Sequence, residues 1–317
     1  MRKQIIGLLL CAFIAQPLVC GAQPKLLNFL KKKDPVPQTQ LEADSLRFVN
    51  GPWKRKFIHL GGIVLRQCAF TDSNALFGAN QYVSVLTVKR SFRFDIVADT
   101  ALTRVEDFVR YSGALAGVNG SFFDTEAPWN SVDFLMVDTL LLAPNQMDSN
   151  GLRQFHQTGA LTVSPKGRVG IVKTPPSNPQ GTDTLDWEYS LKGKAEDVLT
   201  SGPLLREKGH DQQLADTPFT HTRNPRTAVA LRKGGQTLLV VVDGRANEAQ
   251  GMTLTELQHI IRWLKADSAL NLDGGGSSTM CVRKKVTKPV NTVNHPSDNR
   301  AFDAEGARKV ANAIVVK

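Results

Sequence analysis

Asp273 and Asp243 are the residues around which chemistry could be built. Asp273 lies in Asn271-Leu272-Asp273-Gly274-Gly275-Gly276-Ser277-Ser278-Thr279-Met280, where a short apolar run delivers a carboxylate into three glycines and then three hydroxyl residues. Asp243 lies in Val242-Asp243-Gly244-Arg245, after a second apolar run. Paired carboxylates can divide the work of glycosidic cleavage, one as acid or base and the other as base or nucleophile. The glycines serve a different purpose: backbone without side chains can turn sharply or lie against a ligand, and successive N–H groups in such a turn form an anion-binding concavity. A bulge or tight strand connection is the competing structural role for the same run. Arg226 and Arg245 are candidates to neutralise an anion, because a guanidinium presents a planar fork to phosphate or carboxylate. Ion pairing with Asp243 is the competing role for Arg245.

Periodicity supplies the elements that must hold these groups. Thr253 and Glu256 form a capping box, and Leu254, Leu257, Ile260, Ile261 and Leu264 trace one helical face. That helix joins the strand Leu238–Val242 to the strand Ala269–Leu272, a crossover that sets the two strands parallel and puts Asp243 and Asp273 at neighbouring, corresponding ends. Ligands gather beyond such strand ends. Hairpins are expected for Arg226–Leu231 with Thr237–Val242, Val132–Val137 with Leu140–Ala143, and Ala160–Val163 with Val169–Val172; Ala311–Val316 closes the chain as a strand. Leu41 to Thr100 reads as strands, and a short helix carrying Val105, Phe108 and Val109 follows a capping pattern of Thr103 with Glu106. Lys173–Asp186 and Gly209–Arg223 read as surface loops, the second mobile. The fold class is α+β: a mixed, largely antiparallel β-sheet core with a few packing helices and at least one βαβ crossover.

Residues 1–22 have a basic start, an apolar middle and a small-residue end, the pattern of a secretory signal cleaved after Ala22. Lipidation of Cys20 after cleavage is a second reading of the same stretch, giving a protein of the periplasm or cell surface. No other segment is apolar enough for a transmembrane span. Residues 23–40, with Lys31-Lys32-Lys33 and two prolines, read as a linker; 41–112 form a β-rich part packed on a core domain, 113–317. Cys68 and Cys281 are too far apart in sequence to pair by inspection, and buried free thiols are expected. The formal charge of +10 favours anionic partners. The basic residues are dispersed, and neither Lys31-Lys32-Lys33 nor Arg283-Lys284-Lys285 carries interleaved aromatics, so nucleic acid is not an expected partner.

Several ordered motifs extend the pattern. Gly117-Val118-Asn119-Gly120-Ser121-Phe122-Phe123-Asp124, Ser201-Gly202-Pro203-Leu204, Asn224-Pro225-Arg226-Thr227-Ala228, Gly251-Met252-Thr253-Leu254 and Asn294-His295-Pro296-Ser297-Asp298 accompany the two aspartate motifs. Together, over Gly113 to Lys317, the chain resembles the phosphodiester glycosidase family; Ser121 and Ala230 stand where relatives often carry glycine. The resemblance implies a hydrolase that cleaves the sugar–phosphate bond of a carbohydrate phosphodiester, N-acetylglucosamine-like in its sugar; an envelope glycan is a candidate substrate. With the residue logic above, the candidate substrate site is Asn119, Phe122, Phe123, Asp124, Ser201, Gly202, Arg226, Thr227, Arg245, Gly274, Gly275, Gly276, Ser277 and Ser278, with aromatic faces against sugar rings and amides on hydroxyls. Asp273 is the first choice for the catalytic carboxylate and Asp243 the second. No cofactor is required, although calcium or magnesium is compatible. Two other functions fit the residues: a metal-dependent phosphoesterase with Asp124, Asp243 and Asp273 as ligands, and a non-catalytic glycan-binding protein of the cell envelope.

Overall fold

The computed structural model describes residues 39–127, 130–176, 187–188, 190–191 and 193–317. The signal segment, Cys20 and nearly all of the expected linker lie outside the described residues, as does 177–186 of the first surface loop. No helix among the described residues is long and apolar enough to cross a membrane.

Among the described residues the strands form three sheets, and every strand pair is antiparallel. The largest has the order β1 (Lys54–His59), β2 (Ile63–Phe70), β3 (Gln81–Val88), β14 (Thr237–Val242), β13 (Arg226–Leu231), β15 (Ser268–Asn271), β11 (Leu204–Glu207) and β12 (His210–Asp211). A second runs β7 (Leu140–Ala143), β6 (Leu135–Val137), β10 (Asp197–Ser201), β8 (Gly159–Val163) and β9 (Val169–Lys173). The third runs β17 (Asn291–Thr292), β16 (Met280–Val282), β5 (Ala116–Asn119), β18 (Val310–Val316) and β4 (Phe94–Thr103).

Alternation along the central strands explains why they read as continuous apolar runs. In β14, Leu239 and Val241 enter a core to which all three sheets contribute, alongside Leu161, Leu199, Val118 and Ile314. Leu238, Val240 and Val242 point the other way, into a second core under helices α1 (Gln40–Asn50) and α4 (Leu254–Trp263). With both faces covered, no polar alternation survives. β18 is double-sided in the same sense, with Ile314 in the shared core and Ala313 and Val315 against α2 (Val105–Tyr111).

The expected hairpins form, and α4 has its capping box of Thr253 and Glu256 with the expected face buried. The crossover through α4 does set β14 and β15 parallel, since each is antiparallel to β13. β13 lies between them, however, so the ends carrying Asp243 and Asp273 correspond without being neighbours. Four local expectations are corrected. Residues 40–50 are helix rather than strand, begun by a capping box of Thr39 and Glu42. The cap of α2 is Arg104, without a side-chain bond; the Thr103 hydroxyl is taken up by Asp99 and the Ala101 carbonyl instead. The stretch 209–223 contains β12 and a turn of helix, α3 (Pro218–His221), capped by the Thr217 side chain. Arg283 is buried, donating to the carbonyls of Ala114, Val109 and Val286, so the basic run it opens is not wholly a solvated face. Cys68 and Cys281 are buried free thiols, both pushed up by burial, to about 11 and about 12.

Candidate active site

One edge of the eight-stranded sheet gathers the groups of interest. Arg226 begins β13 opposite Val242, the last residue of β14, and Ala228 pairs with Asn271, the last residue of β15. Asp243, Arg245, Arg226 and Asp273 therefore emerge along the same edge. The third sheet clamps it: Asn119, at the end of β5, donates from Nδ2 to the Asp273 carbonyl at 2.6 Å, and its Oδ1 accepts from Thr227 Oγ1 at 2.8 Å and the Thr279 N–H at 3.2 Å. The Asp273 N–H donates to the Gly120 carbonyl at 3.0 Å. Asn119 is fully buried and both ends of its amide are engaged by protein, as is the Thr227 hydroxyl. These residues fix the backbone of Asp273.

The glycine run is explained by what crowds it. A Cβ on Gly274 would stand 2.7 Å from the Pro225 carbonyl oxygen, one on Gly275 2.9 Å from Arg245 Nη2, and one on Gly276 2.5 Å from Asp298 Oδ1 and 2.7 Å from Arg308 Nη2. Gly275 also has φ +60, in the left-handed region. A side chain at any of the three would displace a carbonyl or a guanidinium. Beside this turn lies a cavity of about 260 Å³ lined by Asp273, Gly274, Gly275, Gly276, Arg226, Arg245, Phe219, Asn224 and Arg308.

The three arginines differ in how much of each is free. Arg226 is buried, donates to the carbonyls of Met252, Phe219 and Thr222 at 2.7–2.9 Å, and sits 4.8 Å above the Phe219 ring. Burial, with the nearby Arg245 charge, lowers its guanidinium to about 10. Only its Nη1 lacks a protein partner among the described residues. Arg245 is exposed, bonds only the Asn224 side chain among the described residues, at 3.2 Å, and has φ 65, which is uncommon and costly for a residue with a side chain. It has no carboxylate partner among the described residues, so the competing role with Asp243 is not realised. Arg308 pairs with Asp298 at the surface.

The two aspartates sit in different environments. Asp243 is 1% exposed; Oδ1 accepts from Asn294 Nδ2 at 2.8 Å, and Oδ2 accepts from the His295 N–H at 3.0 Å and lies 2.8 Å from His295 Nδ1. The His295 ring is stacked on Phe302 and edge-on to Tyr82. Burial raises the Asp243 carboxyl, and the His295 and Asn294 donors oppose the rise. Asp273 is only partly covered, accepts from the Gly274 N–H at 2.8 Å and opens on the cavity. Burial raises its carboxyl to about 6; the Ser277 hydroxyl, Gly274 N–H and Arg308 oppose the rise and the charge of Asp133 adds to it. Both protonation states of Asp273 are therefore accessible near neutrality.

Asp133 is a buried carboxylate that sequence reasoning missed. Its Oδ1 accepts from Gln157 Nε2 at 3.1 Å and lies 3.3 Å from His156 Nδ1, and burial raises it. Its signal was an acid set among Val132, Phe134 and Leu135. Phe219 and Arg308 were likewise missed, one in a segment taken for a mobile loop and the other in no motif. Phe219 continues into an aromatic group with Phe122, 5.9 Å away, and Phe155, 5.4 Å away.

Of the expected site, Arg226, Arg245, Asp273, Gly274, Gly275 and Gly276 line the cavity. Asn119, Thr227 and Asp243 support it from behind. Ser278 and Ser201 are buried with hydroxyls lacking a protein partner among the described residues, and Ser277 is buried with its hydroxyl beside the Asp273 carboxyl. A Cβ on Gly202 would lie 2.4 Å from the His156 carbonyl oxygen, so that glycine serves a backbone approach. Phe123 packs on the core under α2, away from Phe122. Asp124 accepts from Gln146 at 3.0 Å. Asp124, Asp243 and Asp273 are thus held by separate partners, and no group of three or more His, Cys, Asp or Glu among the described residues is gathered to hold a metal. That donor set does not fit the metal-dependent phosphoesterase.

A model of the phosphodiester glycosidase family matches residues 112–317. Among characterised and uncharacterised proteins, an SPbeta prophage-derived uncharacterized protein of Bacillus subtilis (strain 168) is 26% identical over 121 residues, 34% of this chain and 19% of that protein. The N-acetylglucosamine-1-phosphodiester alpha-N-acetylglucosaminidase of Mus musculus is 33% identical over 81 residues, 26% of this chain and 14% of that protein. The chain thus spans less than a fifth of the length of either relative. A hypothetical protein from Synechocystis superposes with TM-score 0.61 at 14% identity, covering 84% of this chain and 63% of that one. The zebrafish N-acetylglucosamine-1-phosphodiester alpha-N-acetylglucosaminidase catalytic domain, auto-inhibited by its pro-peptide, gives 0.57 at 18% identity, covering 80% and 81%. At these identities the superpositions establish a shared fold.

Proposed function

Because the chain belongs to the phosphodiester glycosidase family, we propose that it hydrolyses the sugar–phosphate glycosidic bond of a carbohydrate phosphodiester in the cavity beside the glycine turn. The observation that carries this reading is the joint placement of Asp273, its carboxyl raised to about 6, with Arg245, Arg226 and Arg308 around one cavity. A phosphate monoester leaves readily once its charge is neutralised, so guanidinium and backbone N–H groups matter more at that end than a strong acid. In the proposed reaction a water oxygen bonds to the anomeric carbon as the bond from that carbon to the bridging oxygen breaks. The bridging oxygen departs on the phosphate, and the water proton is lost to solvent or to a base. Asp273 acts at the anomeric centre, stabilising positive charge or moving a proton. Arg245 supplies the accessible positive charge; Phe219, with Phe122 and Phe155 beyond it, offers apolar faces to a sugar ring.

N-acetylglucosamine is the proposed sugar, and residues 1–22 the proposed export signal, placing the mature chain in the periplasm or at the cell surface. Product analysis on an N-acetylglucosamine phosphodiester tests the reaction. Free sugar with phosphomonoester supports it. Sugar phosphate with free alcohol would mean that the phosphorus–oxygen bond broke and would reject it.

A further inference from the structure

The opposite edge of the large sheet carries a second, larger cavity, of about 840 Å³. Arg232 follows the last residue of β13 and Asp267 precedes the first of β15, whereas the candidate active site lies at the start of β13 and the end of β15. Strands of this length separate the two by roughly 15–20 Å. Five basic side chains line this cavity against one carboxylate, Asp267.

The basic groups are poorly compensated. Arg66 is half-buried over the Trp53 ring at 5.4 Å, and its guanidinium has no hydrogen-bond or carboxylate partner among the described residues. It is crowded by the like charges of Arg232 and Arg55. Arg232 donates from Nε to the Leu264 carbonyl at 2.8 Å and from Nη1 to Gln236, leaving Nη2 without a protein partner among the described residues. Lys265 is exposed, and its ammonium has no protein partner among the described residues. Arg206 has a close carboxylate, Asp211, and the exposed Lys233 lies 4.0 Å from Asp267. Half-buried like charges held together without a counterion disfavour one another and are stabilised by an anion. The half-buried Trp53 and Trp263 rings add flat apolar surface beside the cations.

We propose that this cavity is a second binding site, for an anionic glycan segment whose phosphate or carboxylate groups meet Arg66 and Arg232 and whose sugar rings lie on the tryptophans. The site would hold a polymeric substrate while its phosphodiester is presented at the far edge of the sheet. That purpose rests on the proposed glycosidase reading; the binding itself does not.

Calorimetry on the full chain with a poly(glycerol phosphate) oligomer, a polygalacturonate oligomer and neutral dextran tests the site and separates phosphate from carboxylate recognition. At least one anionic oligomer is expected to bind, more weakly as salt is raised, and dextran not to bind. Arg66→Gln with Arg232→Gln should weaken that binding tenfold or more without changing turnover of a small phosphodiester. Lys265→Gln, which removes no protein contact, should weaken it several-fold at unchanged Tm and guards against a folding artefact. Equal binding of dextran, undiminished binding in both variants, or tighter binding to anionic phospholipid vesicles than to either oligomer would overturn the proposal. Failure of the unsubstituted chain to bind either anionic oligomer while it turns over the small phosphodiester would reject this site alone; binding by that chain without turnover would reject the glycosidase reading alone.

Discussion

Asp243 and Asp273 occupy matching places at the ends of parallel strands joined by one helix, yet their surroundings give them different work. Asp243 is closed in: both carboxylate oxygens are engaged by Asn294 and His295, and almost none of the residue reaches solvent. Asp273 has its backbone clamped by Asn119 and Gly120 while its carboxylate faces a cavity with arginines around it. A buried, fully partnered carboxylate organises structure; a fixed one with spare acceptor capacity and a carboxyl near 6 can act on a ligand. The arginines repeat the contrast. Arg226 is held by three carbonyls, and Arg245 is held by one side chain.

The largest effect should come from opening the closed corner. Asp243→Ala removes the acceptor of one Asn294 amide N–H, of the His295 N–H and of the His295 ring, and should cost about 3–5 kcal/mol, read as a fall in Tm and in the denaturant midpoint. Full stability with lost turnover would instead move Asp243 into the chemistry. Next, Arg226→Lys should lower stability by about 1–3 kcal/mol, since one ammonium cannot reach the carbonyls of Met252, Phe219 and Thr222 together. A normally folded Arg226→Lys protein with poor turnover would show that its remaining Nη1 binds phosphate. Arg245→Gln should leave Tm unchanged and reduce kcat/KM about tenfold, equivalent to ~1.4 kcal/mol, because an exposed guanidinium beside the cavity is removed. The smallest effect is on stability against pH. The Asp273 carboxyl is raised from 3.8 to about 6, so the folded chain holds this proton more tightly than the unfolded chain. Its contribution is fully present below pH 4 and is lost as pH rises through about 6. After allowance for its partial exposure to water, Asp273→Asn should therefore stabilise the protein by about 1 kcal/mol at pH 7 and flatten that part of the Tm–pH curve.

Much of this contrast was beyond the reach of sequence. The helix Leu254–Trp263 and the parallel setting of its flanking strands were legible because a capping box and one apolar face are local signals. The interposed strand Arg226–Leu231 was not, since pairing order depends on contacts distant in the chain. The three glycines marked a close approach, but the groups that approach, Pro225, Arg245 and the Asp298–Arg308 pair, come from three other segments. Asn119 looked like a ligand for sugar hydroxyls; its amide instead ties the sheets together, a role visible only once Thr227, Asp273 and Thr279 surround it. The helix Gln40–Asn50 stands where the sequence from Leu41 reads as strand; the capping box of Thr39 and Glu42 is the local signal that marks it. Phe219 was hidden in a polar stretch, where one short turn of helix carries it to the cavity.

Turnover of a sugar phosphodiester by Asp273→Asn, measured with its melting curve at the same pH, tests the division between the two aspartates most directly. The amide keeps the side chain's size and can still accept from the Gly274 N–H, so the turn should remain formed. The account predicts a loss of order 10²-fold or more in kcat at unchanged or raised Tm, the scale seen when a positioned proton-transfer or electrostatic group is removed. A well-folded Asp273→Asn protein turning over within a few-fold of the parent would contradict it.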